Sequence, residues 1–105
     1  VLEQKMKRLG ILITHAEEFE NVWHLARAAG AKGVAVHVHL TGAGVLAARD
    51  VRFERLCTFA KVTICGRSIR KWKLEELVQD RFATLMATSD QIMEVVTECD
   101  RSLVF

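Results

Sequence analysis

Few residues of this chain are equipped for chemistry: cysteines at positions 57, 65 and 99, and histidines at 15, 24, 37 and 39. Three cysteines without a CxxC spacing indicate neither a disulfide framework nor a structural zinc site, so a reactive thiol here acts alone. Cys65 is the candidate. It closes the run Lys61-Val62-Thr63-Ile64 and precedes Gly66, where a strand ends and a helix begins. A sulfur at such a junction faces free backbone N–H groups and the positive end of a helix dipole, and both favour thiolate. Arg67, Arg70 and Lys71 add positive potential, and Gly66 leaves room for an attacking group. A reachable thiolate is what nucleophilic or persulfide chemistry requires. The plainer reading makes Cys65 a small hydrophobe at a strand end. Cys57 and Cys99 fall at apolar helix positions and read as core, with Cys57 as a resolving thiol for Cys65 a secondary option.

His37-x-His39 places two imidazoles on one face of a strand, and His15 at the exit of another strand raises a three-histidine metal site. No carboxylate or cysteine accompanies the pair at ligand spacing, so no metal is assigned and no cofactor is expected. His15 or His39 is read instead as orienting or deprotonating a sulfur group at the rim of the Cys65 site; His24 reads as a solvated surface residue. Thr41-Gly42-Ala43-Gly44 contains a GxG but neither GxxxxGK[ST] nor GxGxxG. It reads as a tight turn, with Thr41 and Gly42 bringing backbone close to Cys65. The run RSIRKWK at 67–73 is either a solvated helix face or a docking patch for an acidic partner or an RNA backbone, with Trp72 as interface anchor or core.

The elements that must position these groups alternate. The apolar run LGILIT at 9–14 has the character of a strand buried on both faces. Apolar positions Phe19, Val22, Trp23, Ala26 and Ala29 then recur at helical spacing over 17–29, with Gly30 as the expected stop. A second strand spans 33–40, with Val34, Val36, Val38 and Leu40 on one face and Ala35, His37 and His39 on the other. Helical segments are expected at 45–49 and 53–60, a third strand at 61–65 and a helix over 68–80. A fourth strand follows at 82–86, then a last helix to about position 99 behind the capping box Thr88-Ser89-Asp90-Gln91, and a terminal strand at 102–105. This alternation predicts a parallel sheet with right-handed crossovers and helices on both faces. Its reactive residues collect outside the carboxyl ends of the strands.

One domain is expected over residues 1–105. Half the residues are apolar and 27% are charged, an ordinary globular composition. A net charge of +2, with thirteen acids spread among fifteen bases, does not by itself indicate nucleic-acid binding. With neither a run long enough for a membrane span nor a signal-peptide pattern at the start, a cytoplasmic location is the default expectation.

In order and spacing these segments resemble the DsrE/DsrF-like (DsrEFH/TusBCD-like) superfamily of sulfur-relay proteins over nearly the whole chain. The likeness rests on three stretches. They are LGILIT at 9–14 with the acidic loop and alanine-rich helix behind it, VTIC at 62–65 after the Ala60-Lys61 turn, and the ending CDRSLVF at 99–105, similar to the family's "aDRvlsF". The resemblance implies a three-layer α/β/α domain with a mainly parallel five-stranded sheet, a persulfide-carrying cysteine at Cys65, and trimers or hexamers. It departs after the cysteine, where family carriers often have small residues and an Arg-Arg-Gly run but this chain has Gly66-Arg67-Ser68-Ile69-Arg70-Lys71.

The first functional expectation is therefore a sulfur carrier, a sulfurtransferase-like protein that exchanges sulfur through Cys65 with a donor or acceptor protein. The second is a non-catalytic subunit that binds a small ligand or protein partner, with Cys65 structural. A histidine-metal enzyme is a third. A phosphoacceptor receiver domain does not fit, because no Asp closes the third strand. So apolar a small chain, ending in an apolar strand, is also expected to cover surface with copies of itself.

Overall fold

A computed structural model of the chain describes residues 7–81, 86–87, 95 and 97–105. Its strands are β1 (Arg8–Ile13), β2 (Ala35–Leu40), β3 (Lys61–Cys65), β4 (Met86–Ala87) and β5 (Arg101–Val104). They pair in the order β4-β3-β2-β1-β5, every neighbour parallel. Four strands carry this sheet; β4 adds two residues beside the end of β3. The helices are α1 (Phe19–Ala31), α2 (Phe53–Phe59), α3 (Gly66–Lys71) and α4 (Glu75–Arg81), with 3₁₀ turns at Ala16–Glu18 and Gly42–Arg49. The chain is of the mixed α/β class with a parallel sheet, as the alternation of periodicities required.

Register separates the two faces of the sheet. Ile11 pairs with Val38 and Val38 with Val62; Ile13 pairs with Leu40 and Leu40 with Ile64. All six are buried, and removing each such side chain from water contributes about 1.5–3 kcal/mol. The steps from β1 to β2 to β3 run in one direction, so right-handed crossovers put α1 and α2 on this apolar face. There Phe19, Val22, Trp23 and Ala26 form the buried stripe of α1, and Trp23 meets Phe59 of α2 edge to face at 5.2 Å between ring centroids. The opposite face carries Gly10, His37, His39, Thr63 and Cys65. Val95 packs on it so tightly that a Cβ added to Gly10 would lie 2.6 Å from the Val95 carbonyl oxygen.

Two helix ends differ from expectation for one reason. Helix α1 runs through Gly30 and stops at Gly33, which has φ 81°. Gly33 N–H donates to Gly30 O at 3.1 Å and Val34 N–H to Ala29 O at 3.0 Å, the paired bonds of a Schellman end. An interior glycine costs a helix only about 1 kcal/mol, so Gly30 does not end it; the left-handed residue does. The single helix expected over 68–80 is split between α3 and α4 by the same device. Lys73, at φ 56°, donates to Arg70 O at 3.2 Å and Leu74 to Ile69 O at 3.0 Å. A lysine gave no sequence signal for that stop.

The alanine-rich stretch expected over 45–49 is a 3₁₀ turn that begins earlier, at Gly42. Gly44 lies so close to the Ile13 carbonyl that no Cβ fits. Residues 82–85 of the expected fourth strand and the capping box at 88–91 lie outside the described residues, as does most of the last helix; of the latter, positions 95 and 97 are helical. The terminal strand begins at Arg101 and pairs with β1. Among the described residues no helix is long and apolar enough to cross a membrane.

Candidate functional site

Cys65 ends β3 and is the N-cap residue of α3. Strand alternation turns its side chain toward the face that bears Thr63. The residue is buried, at 7% exposed. The thiol makes no capping hydrogen bond of ordinary geometry, but several donors act on its ionised form. Burial is the largest single influence and pushes the thiol up. Against it stand the Ser68 hydroxyl and N–H, the Thr41 hydroxyl and the Arg67 N–H, and together they hold Cys65 below the usual thiol range. Hydroxyl and backbone N–H groups of these three residues thus favour thiolate at this sulfur.

Two elements supply these groups, the turn after β2 and the start of α3, and one hydrogen bond ties them together. Gly42, left-handed at φ 57°, donates its N–H to Ser68 Oγ at 2.8 Å. That bond locks the turn after β2 onto the first turn of α3, and leaves the Ser68 hydrogen free for the sulfur. Gly42 and Thr41 therefore belong to one turn that meets the start of α3. Gly66 is buried at the start of α3. Ser68 was not singled out from the sequence. Its signal was the spacing i, i+3 from the N-cap, the separation at which an N3 side chain reaches back to the cap.

The cations divide. Arg67 contributes its backbone N–H, while the side chains of Arg67, Arg70 and Lys71 are exposed. These positions are spaced i, i+3, i+4 and share one outer face of α3, beside Trp72, which is 40% exposed.

The histidines do not converge as a trio. His15 is exposed. Thr14 Oγ1 donates to Phe105 O at 2.9 Å and lies 2.9 Å from His15 Nδ1; with its one hydrogen committed, it accepts from His15. His15 is thereby tied to β1 and the Phe105 end rather than to the Cys65 site. His37 and His39 are both buried on the Cys65 face and share Thr63 Oγ1, at 3.0 Å from His37 Nε2 and 2.6 Å from His39 Nδ1. Burial first, and the neighbouring His37 second, lower the His39 pKa to about 4, so His39 is neutral at pH 7. Its Nε2 is buried with no hydrogen-bond partner among the described residues. No group of three His, Cys, Asp or Glu side chains among the described residues is placed to hold a metal ion.

Cys57 is partly buried in α2 and packs against the core. Burial raises its pKa, and its helix lies across the sheet from the Cys65 sulfur. Cys99 is partly buried beside Gly10. Compared with known proteins, the sequence matches no family model and no curated protein.

Proposed function

We propose that this protein is a sulfur carrier of the DsrE/DsrF-like kind, in which Cys65 accepts a sulfane sulfur and passes it on. One feature supports this above the others: Cys65 closes β3 as the N-cap residue of α3, beside a Ser68 hydroxyl that Gly42 N–H fixes at 2.8 Å, a setting in which Ser68, Thr41 and Arg67 lower the thiol pKa despite burial. The Cys65 thiolate attacks the outer sulfur of a donor persulfide, R–S–SH. The donor S–S bond breaks, R–S⁻ leaves, and Cys65–S–SH forms. An acceptor thiolate then attacks that outer sulfur and releases the Cys65 thiolate, by the rules of thiol–disulfide exchange. The exposed Arg67, Arg70 and Lys71 would receive the donor or acceptor protein beside the sulfur.

In this reading β4 counts as a full fifth strand of a three-layer α/β/α domain. The protein works in the cytoplasm as a homo-oligomer, a trimer or hexamer. Residues Thr41, Gly42 and Gly66 line its approach, His39 lies buried on the same face of the sheet and His15 stands apart at the Phe105 end, with no cofactor and no direct contact with nucleic acid.

Exposure to inorganic polysulfide followed by mass spectrometry should add one sulfur, about 32 Da, to Cys65. An adduct that persists in Cys65→Ser would end the assignment. The 7% exposure of Cys65 supports a second reading, a binding subunit with a structural cysteine. That reading predicts no adduct and a thiol of ordinary reactivity.

A further inference from the structure

Positive charge is concentrated on α3 and the turn that follows it. Arg67, Arg70, Lys71 and Lys73 are all exposed, and among the described residues no carboxylate pairs with any of them. These four of the chain's fifteen bases fall within one short segment; the other eleven face thirteen acids, so the protein outside the patch is net negative. Trp72 stands among the cations at 40% exposed, whereas Trp23 is 6% exposed. A tryptophan left open beside arginines has the make-up of an interface anchor, a role these two residue types fill more than any other.

The patch is small and bounded. Helix α3 has six residues, about 9 Å along its axis, and Cys65 is its N-cap. A group held by Arg70 or Lys71 is thus about one to two helical turns from the cysteine. Past the other end, the exposed Glu75 and Glu76 open α4. A nucleic-acid backbone carries charge on every nucleotide and continues beyond so short a patch, where it meets those carboxylates. A short acidic segment ends before them. The chain's own acidic stretch at the start of α1 is already engaged: Glu18 accepts from Asn21 at 2.9 Å, and Glu20 pairs with Arg52 at 3.6 Å.

We propose that this face of α3 docks a short acidic segment of a partner protein, with carboxylates on Arg67, Arg70 and Lys71 and an apolar side chain against Trp72. The proposal rests on the reading of Cys65 as the working sulfur and adds the chemistry by which a donor or acceptor is recognised: its own sulfur is carried next to clustered acids. Exposed ion pairs add little affinity each, and they act mainly on the rate of encounter and on partner choice. That balance suits a carrier, which must release each partner after one transfer.

Fluorescence anisotropy of a labelled peptide of glutamate and alanine with one central leucine, titrated with the whole protein at low ionic strength, tests the surface. Saturable binding is expected, weakening as salt is added. It should shift the emission of Trp72 to the blue and shield it from acrylamide, with the buried Trp23 as a constant background. The exposed double variant Arg70→Glu with Lys71→Glu should bind on the order of tenfold more weakly, and Arg70→Lys with Lys71→Arg should bind as wild type does. A peptide that fails to bind, binds the charge-reversed variant equally well or leaves Trp72 unshielded overturns the proposal. A uridine oligonucleotide of equal charge that binds as tightly as the peptide overturns it in favour of nucleic acid. Self-association in sedimentation velocity that charge reversal abolishes overturns it in favour of a second copy. The polysulfide adduct on Cys65 is scored separately. An adduct without peptide binding removes the docking surface and keeps the carrier; peptide binding without an adduct keeps the surface and removes the carrier.

Discussion

Replacing His39 with Gln should flatten the acid side of the stability profile. His39 is 0% exposed, and burial together with His37 lowers its pKa from 6.5 to about 4. Between those values the unfolded chain binds a proton that the folded protein refuses. The unfolded state therefore binds more protons, and stability falls as pH falls. The loss begins near pH 6.5 and is complete by about pH 4. At 1.36 kcal/mol per unit it amounts to about 3 kcal/mol, a large share of the roughly 5–15 kcal/mol available to a domain of this size. Urea denaturation at half-unit steps from pH 7.5 to 4 measures it. Asp50 belongs to a different window. Its bond to Arg52 holds the carboxyl below 3.8, so the stability it contributes is lost only as pH falls through that lower range. Wild type should lose about 3 kcal/mol more than His39→Gln across the upper window. Equal slopes for the two proteins would show that His39 titrates normally and that its burial has no electrostatic consequence.

Two further outcomes follow from the same geometry. Ser68→Ala removes one hydrogen bond to the thiolate, worth about 1.5–3 kcal/mol. The thiolate fraction at neutral pH falls, a more basic sulfur is intrinsically more nucleophilic, and the net loss in iodoacetamide alkylation rate should be about three- to tenfold; an unchanged pH–rate profile would remove Ser68 from the site. Lys73→Gly relieves a left-handed lysine at the end of α3 and should stabilise the protein by about 0.5–1 kcal/mol in urea unfolding. A destabilised variant would contradict the Schellman assignment.

What the sequence made legible followed the strength of each local signal. Strands β1, β2 and β3 were readable within a residue or two because their apolar runs admit no other periodicity, and with them came Cys65 at a strand exit and the Thr41-Gly42 turn. The left-handed stop at Lys73 was not readable, because nothing in a lysine announces a positive φ; tertiary burial of Ile69 and Leu74 on either side of it accompanies the break. Gly30 misled for the converse reason, since glycine permits a helix end without requiring one. Among the site residues, Ser68 escaped notice because serine three positions into a helix is common, and only the fold shows that Gly42 occupies one side of its hydroxyl. His15 was placed at the rim by its strand exit, but the hydrogen bond to Thr14 turns it toward Phe105.

The two faces of the sheet obey opposite rules, and that contrast is the strongest argument for where function lies. On the α1–α2 face every inward residue of the central strands is aliphatic, the cheapest way to build a core in a short chain. On the other face the same strands bury His37, His39, Thr63 and Cys65. A buried nitrogen such as His39 Nε2, without a hydrogen-bond partner among the described residues, costs about 1–3 kcal/mol that an aliphatic residue of similar volume would not. Packing does not demand this, because on the opposite face the same strands bury only aliphatic residues. The polar groups are also not scattered. They fill adjacent positions on β2 and β3 and lead toward the strand ends, where Thr41, Gly42 and Ser68 meet beside Cys65. A destabilising feature that is contiguous, confined to one face and leads toward Cys65 is more economically explained by chemistry at that cysteine than by folding.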